Sequence, residues 1–212
     1  MKKIMFNDRF GLTDAVLEGR KTMTRRVIKQ EKVIARHYNP NLFPVDKRDP
    51  YAYYRDERGL CRLLDADYNL IVPAYKIGEE VAVAQRYEDL KYRLTAMQRC
   101  MINPFGSPRE NPGWKNKMFV KADLMPARIR FKSLWIQRLQ DISDTDCIAE
   151  GVVKTKYRDF PQDMYLPFIG CKDSEVSWTP QGAFQILIDK VSGNGTWDSN
   201  PLVWVYEFEL IK

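Results

Sequence analysis

The chain has 212 residues, 44% of them hydrophobic and 29% charged, with a net charge of +6 and a pI near 9.1. This is the make-up of a soluble globular protein long enough to bury a proper core, and its basic excess suits an acidic partner, of which nucleic acid is the commonest. No apolar run approaches the length of a membrane span, and Cys61, Cys100, Cys147 and Cys171 form no CxxC pair, so they read as reduced thiols.

Met1-Lys2-Lys3 leads only to Ile4, Met5 and Phe6 before polar residues, so no signal peptide is expected and a cytoplasmic location is. Residues 3–6 suit a first strand or a lead-in to a helix. Thr13 can cap a short helix over residues 14–18, and Gly19 stands where a helix ends in the left-handed conformation. Next comes Gly19-Arg20-Lys21-Thr22-Met23-Thr24-Arg25-Arg26, with four cations and two hydroxyls, and then the strand-like Val27 and Ile28. Residues 37–72 read as an insertion forming a small meander, with runs at 51–54, 60–64 and 70–72. The single histidine, His37, lies in its first loop; a lone histidine argues against Ser-His-Asp chemistry and against a catalytic zinc site. Chemistry then falls to Lys, Thr or Ser, Glu or Asp, Tyr or Cys.

Residues 75–80 form a turn into a buried strand at 81–84. Leu90, Leu94, Met97 and Met101 give helical spacing over 88–101, residues 103–113 are loop, and 117–121 a short strand. Residues 127–139 make a long strand, with Ile129, Phe131, Ser133 and Trp135 facing a core and Arg128, Arg130 and Lys132 forming a basic face. Ser143 caps a helix ending at Glu150 and Gly151, with Asp146 as its capping-box partner. Residues 154–180 are irregular. An amphipathic helix follows at 181–191, then a turn at 193–195 and a final strand at 202–211, apolar on both faces and so central. The order predicts one domain of α+β class with a small β-barrel core.

Four segments resemble the ASCH family of the PUA-like superfamily, and in particular its phage and prophage members. They are Gly19 to Arg26 (the G-x-K-T-x-T-x-R signature), Tyr75-Lys76-Ile77-Gly78-Glu79-Glu80-Val81, the helix ending in Glu150-Gly151, and Trp197-Asp198-Ser199-Asn200-Pro201 with the strand after it. The resemblance implies a PUA-like barrel with flanking helices, spanning residues 1–212 with insertions at about 37–72, 86–116 and 154–180. It implies binding of RNA or a modified nucleoside in a basic cleft beside the motif, lined by Arg20, Lys21, Arg25 and Arg26, to which the strand face of Arg128 and Arg130 adds a second basic patch. Some small members remove the acyl group from N4-acetylcytidine. The positions matching their catalytic residues are Lys21, Thr24 and Glu150. A metal-independent ribonuclease, or a structural protein whose basic stretch only solvates a turn, are the further alternatives. No cofactor, metal or membrane contact is expected, and oligomeric state is left open.

The chemistry is physically consistent. A threonine hydroxyl needs a base to take its proton, and a lysine among Arg20, Arg25 and Arg26 loses its own proton more easily. A glutamate can pass a proton to a leaving amine, and an arginine can stabilise an oxyanion. Strand alternation would set Lys21 and Thr24 on opposite faces, so Lys21 must sit in the turn, with the strand starting at Thr22 or later. Arg26 has no counterpart in the small amidohydrolases.

Overall fold

A computed structural model describes residues 1–28, 53–55, 61–64, 70–156 and 162–211. Its centre is a five-stranded mixed sheet. The strands are β1 (Lys3–Ile4), β2 (Met23–Val27), β6 (Glu80–Val83), β7 (Arg128–Arg138) and β10 (Leu202–Ile211), in the order β1-β6-β7-β10-β2. β1 runs parallel to β6, and the other pairs are antiparallel. β1 and β2 are the edges, so these strands form an open sheet and no closed barrel exists among the described residues. The observed fold is α+β.

The expected meander is present as a separate antiparallel sheet of β3 (Tyr53–Arg55), β4 (Cys61–Leu64) and β5 (Leu70–Ile71). β8 (Val153–Lys156) and β9 (Asp163–Leu166) form a two-stranded ribbon. The helices are α1 (Leu12–Leu17), α2 (Ala96–Ile102), α3 (Asp144–Ala149) and α4 (Pro180–Ser192). None of them is long and apolar enough to cross a membrane. His37 lies outside the described residues.

The last strand is central in packing because both of its faces are apolar. Val203, Val205, Tyr206 and Phe208 are buried, and Phe131 packs against both Tyr206 and Phe208. Each such fully buried apolar side chain contributes about 1.5–3 kcal/mol. Along β7 the expected alternation holds through Ile129 and Phe131 and then reverses, so that Ile136 is the next fully buried residue. The reason is a bulge: Glu207 faces Ser133 while Phe208 faces Phe131, leaving Lys132 as the extra residue that flips the parity.

Three local expectations give way to competing caps. α1 starts at Leu12 behind Gly11 in the left-handed conformation, and the Thr13 hydroxyl donates to Asp8 and to Phe6 O instead of capping. The helix expected over 88–101 begins only at Ala96, because Thr95 and Gln98 form a capping box there; Leu90 and Leu94 are buried in turns, while Met97 and Met101 are exposed. The strand expected at 117–121 is a short 3₁₀ turn, Lys117–Phe119, set by the Asn116 side chain accepting from Met118 N–H. α4 keeps its expected stripe of Phe184, Leu187 and Ile188 against the core, and Val191 is left at the surface.

Candidate functional site

The junction between α1 and β2 is fixed by backbone bonds. Gly19 has φ 76, and its N–H closes on Val16 O at 3.0 Å. The Lys21 N–H then reaches Ala15 O at 2.9 Å, and the Thr22 N–H reaches Ala149 O at 2.9 Å. Lys21 therefore lies before the strand, which starts at Met23, as the motif chemistry requires. The Thr22 bond ties this junction to the C-terminal end of α3. Two of that helix's exposed carbonyls are satisfied from the motif, by Thr22 N–H and by the Lys21 ammonium, which donates to Glu150 O at 2.6 Å.

At the other end of α3, Ser143 caps as expected, accepting from Asp146 N–H at 3.1 Å. The Asp146 carboxylate does not complete a capping box; it turns one helical turn along to Arg25. Gly151 has φ 108, and a Cβ there would lie 3.5 Å from Leu12 Cδ2 and 3.8 Å from Lys21 Cβ. The end of α3, the start of α1 and Lys21 thus meet at one glycine.

The result is a buried ionic chain. Lys21 Nζ donates to Glu150 Oε2 at 2.5 Å, and Arg25 Nη1 donates to Glu150 Oε1 at 3.1 Å. Arg25 Nη2 donates to Asp146 Oδ2 at 2.7 Å, while Arg25 Nε, also buried, has no partner among the described residues. Burial holds the Lys21 ammonium below the usual lysine range. The Glu150 charge and hydrogen bond oppose that shift, and Arg26 and Arg25 add to it.

These groups line a cavity of about 540 Å³ between β2 and α4. Lys21, Thr24, Arg25 and Glu150 form its polar wall, and Phe184, Leu187 and Ile188 of α4 form an apolar wall opposite. The volume falls within the usual range of small-molecule sites, about 300–1,000 Å³. Thr24 is buried in the wall, and its hydroxyl engages no partner among the described residues. Arg26 stands exposed at the rim, donating to Met5 O at 3.0 Å with its guanidinium 5.9 Å from the Phe6 ring.

The other expected cations lie elsewhere. Arg20 pairs with Glu18 at 2.6 Å and is not part of the cavity. Arg128 and Arg130 sit on β7, outside it; Arg130 is paired with Glu80 at 2.7 Å and Glu209 at 3.3 Å, so its own charge is neutralised. Cys147 on α3 is fully buried, and burial pushes its thiol up to about 12, away from the thiolate form that attacks.

Sequence reading missed Asp146 as a partner of Arg25, although Asp146 and Glu150 are four apart on one helix face, the spacing that aims two side chains at one neighbour. It also read α4 as core only, because an apolar stripe looks the same whether it covers a core or a cavity. No protein-family model, curated protein or solved structure matches the chain at a significant level.

Proposed function

We propose that this cavity binds a modified nucleoside and hydrolyses an amide on its base, with an N4-acylated cytidine as the substrate class that the motif resemblance implies. One observation carries the reading: Lys21, Thr24 and Glu150, brought from two distant segments, line one cavity of nucleoside size. The PUA-like assignment belongs to the same proposal. It is supported by the short helix feeding an edge strand through the motif and by the later helix that ends in a facing glutamate.

The step runs as follows. A neutral Lys21 Nζ takes the proton from the Thr24 hydroxyl as its oxygen attacks the amide carbonyl carbon. The C–N bond breaks, and the exocyclic amine leaves with the proton carried by Lys21, relayed through Glu150. Water then attacks the acyl-threonine ester, giving its proton to Lys21, which returns it to the Thr24 oxygen. One amide and one water become one carboxylic acid and one amine. Arg25 holds Glu150 by one oxygen, leaving the other for Lys21.

The charge of the wall favours a nucleoside over an extended polyanion here. Lys21 and Arg25 face the carboxylates of Glu150 and Asp146, so the motif's buried cations are already compensated. Among the described residues lining the cavity, Arg26 alone remains at the rim to meet a phosphate.

Incubation with N4-acetylcytidine, followed by reverse-phase chromatography, tests the reading. The expected result is release of cytidine in proportion to protein and time. No release, with the protein folded by circular dichroism, overturns it.

A further inference from the structure

The net charge of the chain is concentrated far from the motif. Between residues 86 and 121, eight residues are Lys or Arg and three are Asp or Glu, an excess of five in a chain whose net charge is +6. Elsewhere several surface cations are paired: Arg130 with Glu80, Lys2 with Glu79, Lys154 with Asp163 and Lys190 with Glu175. In this segment Lys91, Arg93, Arg99, Arg109, Lys115 and Lys121 are all exposed, and none enters an ion pair among the described residues.

The same segment holds large side chains that fail to bury. Tyr92 is 89% exposed, Phe105 fully so, and Phe119 more than half. Met97 and Met101 point outward from α2. One cation stands beside a ring, and two others tie this segment together through backbone carbonyls. Lys91 Nζ stands 5.1 Å from the Tyr92 ring centroid, Arg99 Nη2 donates to Lys91 O at 3.1 Å, and Lys121 Nζ donates to Met101 O at 2.7 Å. The surface has its own small core beneath it, of Tyr87, Leu90, Leu94, Ile102, Val120 and Leu124, so it is presented on a packed base. Lys117 clamps this base to the rim of the cavity through Phe6 O and Asp8.

We propose that this face binds single-stranded nucleic acid. Unpaired cations attract the phosphate backbone and release its counterions, and exposed rings offer stacking platforms to unpaired bases of any sequence. Duplex would offer the phosphates without free base faces. The proposal does not depend on hydrolysis in the cavity.

Fluorescence anisotropy tests it, using labelled single-stranded RNA and DNA of about 12 nucleotides, within the roughly 4–16 that single-strand binding sites span. Wild-type protein is expected to bind with an affinity that falls with salt. The Lys91→Glu/Arg99→Glu double variant is expected to weaken binding at least about tenfold and to flatten the salt dependence. The Tyr92→Ala/Phe105→Ala variant is expected to weaken binding about tenfold with the salt slope kept. Lys154→Glu, half that change in charge and on another face, is expected to change little. Absence of binding, equal loss in Lys154→Glu, or full binding by either double variant overturns the proposal. So does binding to vesicles containing anionic phospholipid without binding to the oligonucleotides.

Discussion

Lys21 Nζ lies 2.5 Å from Glu150 Oε2, across 129 residues of chain, with side chains only 3% and 5% exposed. A buried ion pair adds little over an apolar pair, but breaking one side leaves an uncompensated charge. The two sides are not equivalent, because Glu150 has a second cationic partner in Arg25 and, among the described residues, Lys21 has no second carboxylate. Glu150→Gln should therefore cost about 3–5 kcal/mol in urea denaturation, and Lys21→Met distinctly less. Equal losses, or a larger loss for Lys21→Met, would show that Arg25 does not hold the glutamate as described.

Thr24 separates structure from chemistry. Its hydroxyl engages no partner among the described residues, so removing it breaks no hydrogen bond seen in the fold. Thr24→Ala should lower turnover of N4-acetylcytidine at least about a hundredfold, with stability changed by less than about 1 kcal/mol. Thr24→Ser, which keeps the oxygen, should retain measurable turnover. Full activity in Thr24→Ala would remove the nucleophile from the mechanism.

The site was legible where one residue type does one job. Gly19 and Gly151 marked helix ends, Ser143 marked a helix start, and the three residues brought together at the cavity, Lys21, Thr24 and Glu150, stood in a motif and at a helix terminus. What was not legible depends on partners distant in sequence. Arg25 was read as a ligand-facing cation, but its partners are the carboxylates of Asp146 and Glu150, on a helix more than a hundred residues later. Arg130 was read as part of a basic face, but Glu80 and Glu209 stand opposite it in β6 and β10. The reversal of β7 beyond Phe131 comes from a bulge at Lys132, and a one-residue change in pairing leaves no trace in the pattern of a single strand. Closure into a barrel likewise depends on pairing between edges, which strand patterns do not specify.

Gly151 should be intolerant of a side chain for two reasons at once. Its φ of 108 lies where L-residues rarely stand, and a Cβ would press toward Leu12 and Lys21. Gly151→Ala should lower stability by about 1–3 kcal/mol. It should also reduce turnover of the surviving folded protein, because the shift falls on Lys21. Gly193→Ala, at φ 113 with open space around it, should show the stability loss with turnover intact. If both variants keep full turnover, Gly151 supports the fold alone.

Lys21 sets the pH behaviour. Its pKa in the folded protein lies below the 10.5 of a free lysine, and burial is the leading cause. Between those two values the unfolded chain holds more protons than the folded one, so stability rises with pH across that window. Below the lowered value both states are protonated and the benefit is absent. Lys21→Met lacks this contribution. The difference in unfolding free energy between wild type and Lys21→Met should therefore move in favour of wild type as pH approaches 10.5. The same deprotonation arms the base, so kcat/KM for N4-acetylcytidine should climb with pH along a limb centred below 10.5. A limb at 10.5 or above, or parallel stability profiles for the two proteins, would mean that Lys21 titrates as an ordinary solvated lysine and is not the base that activates Thr24.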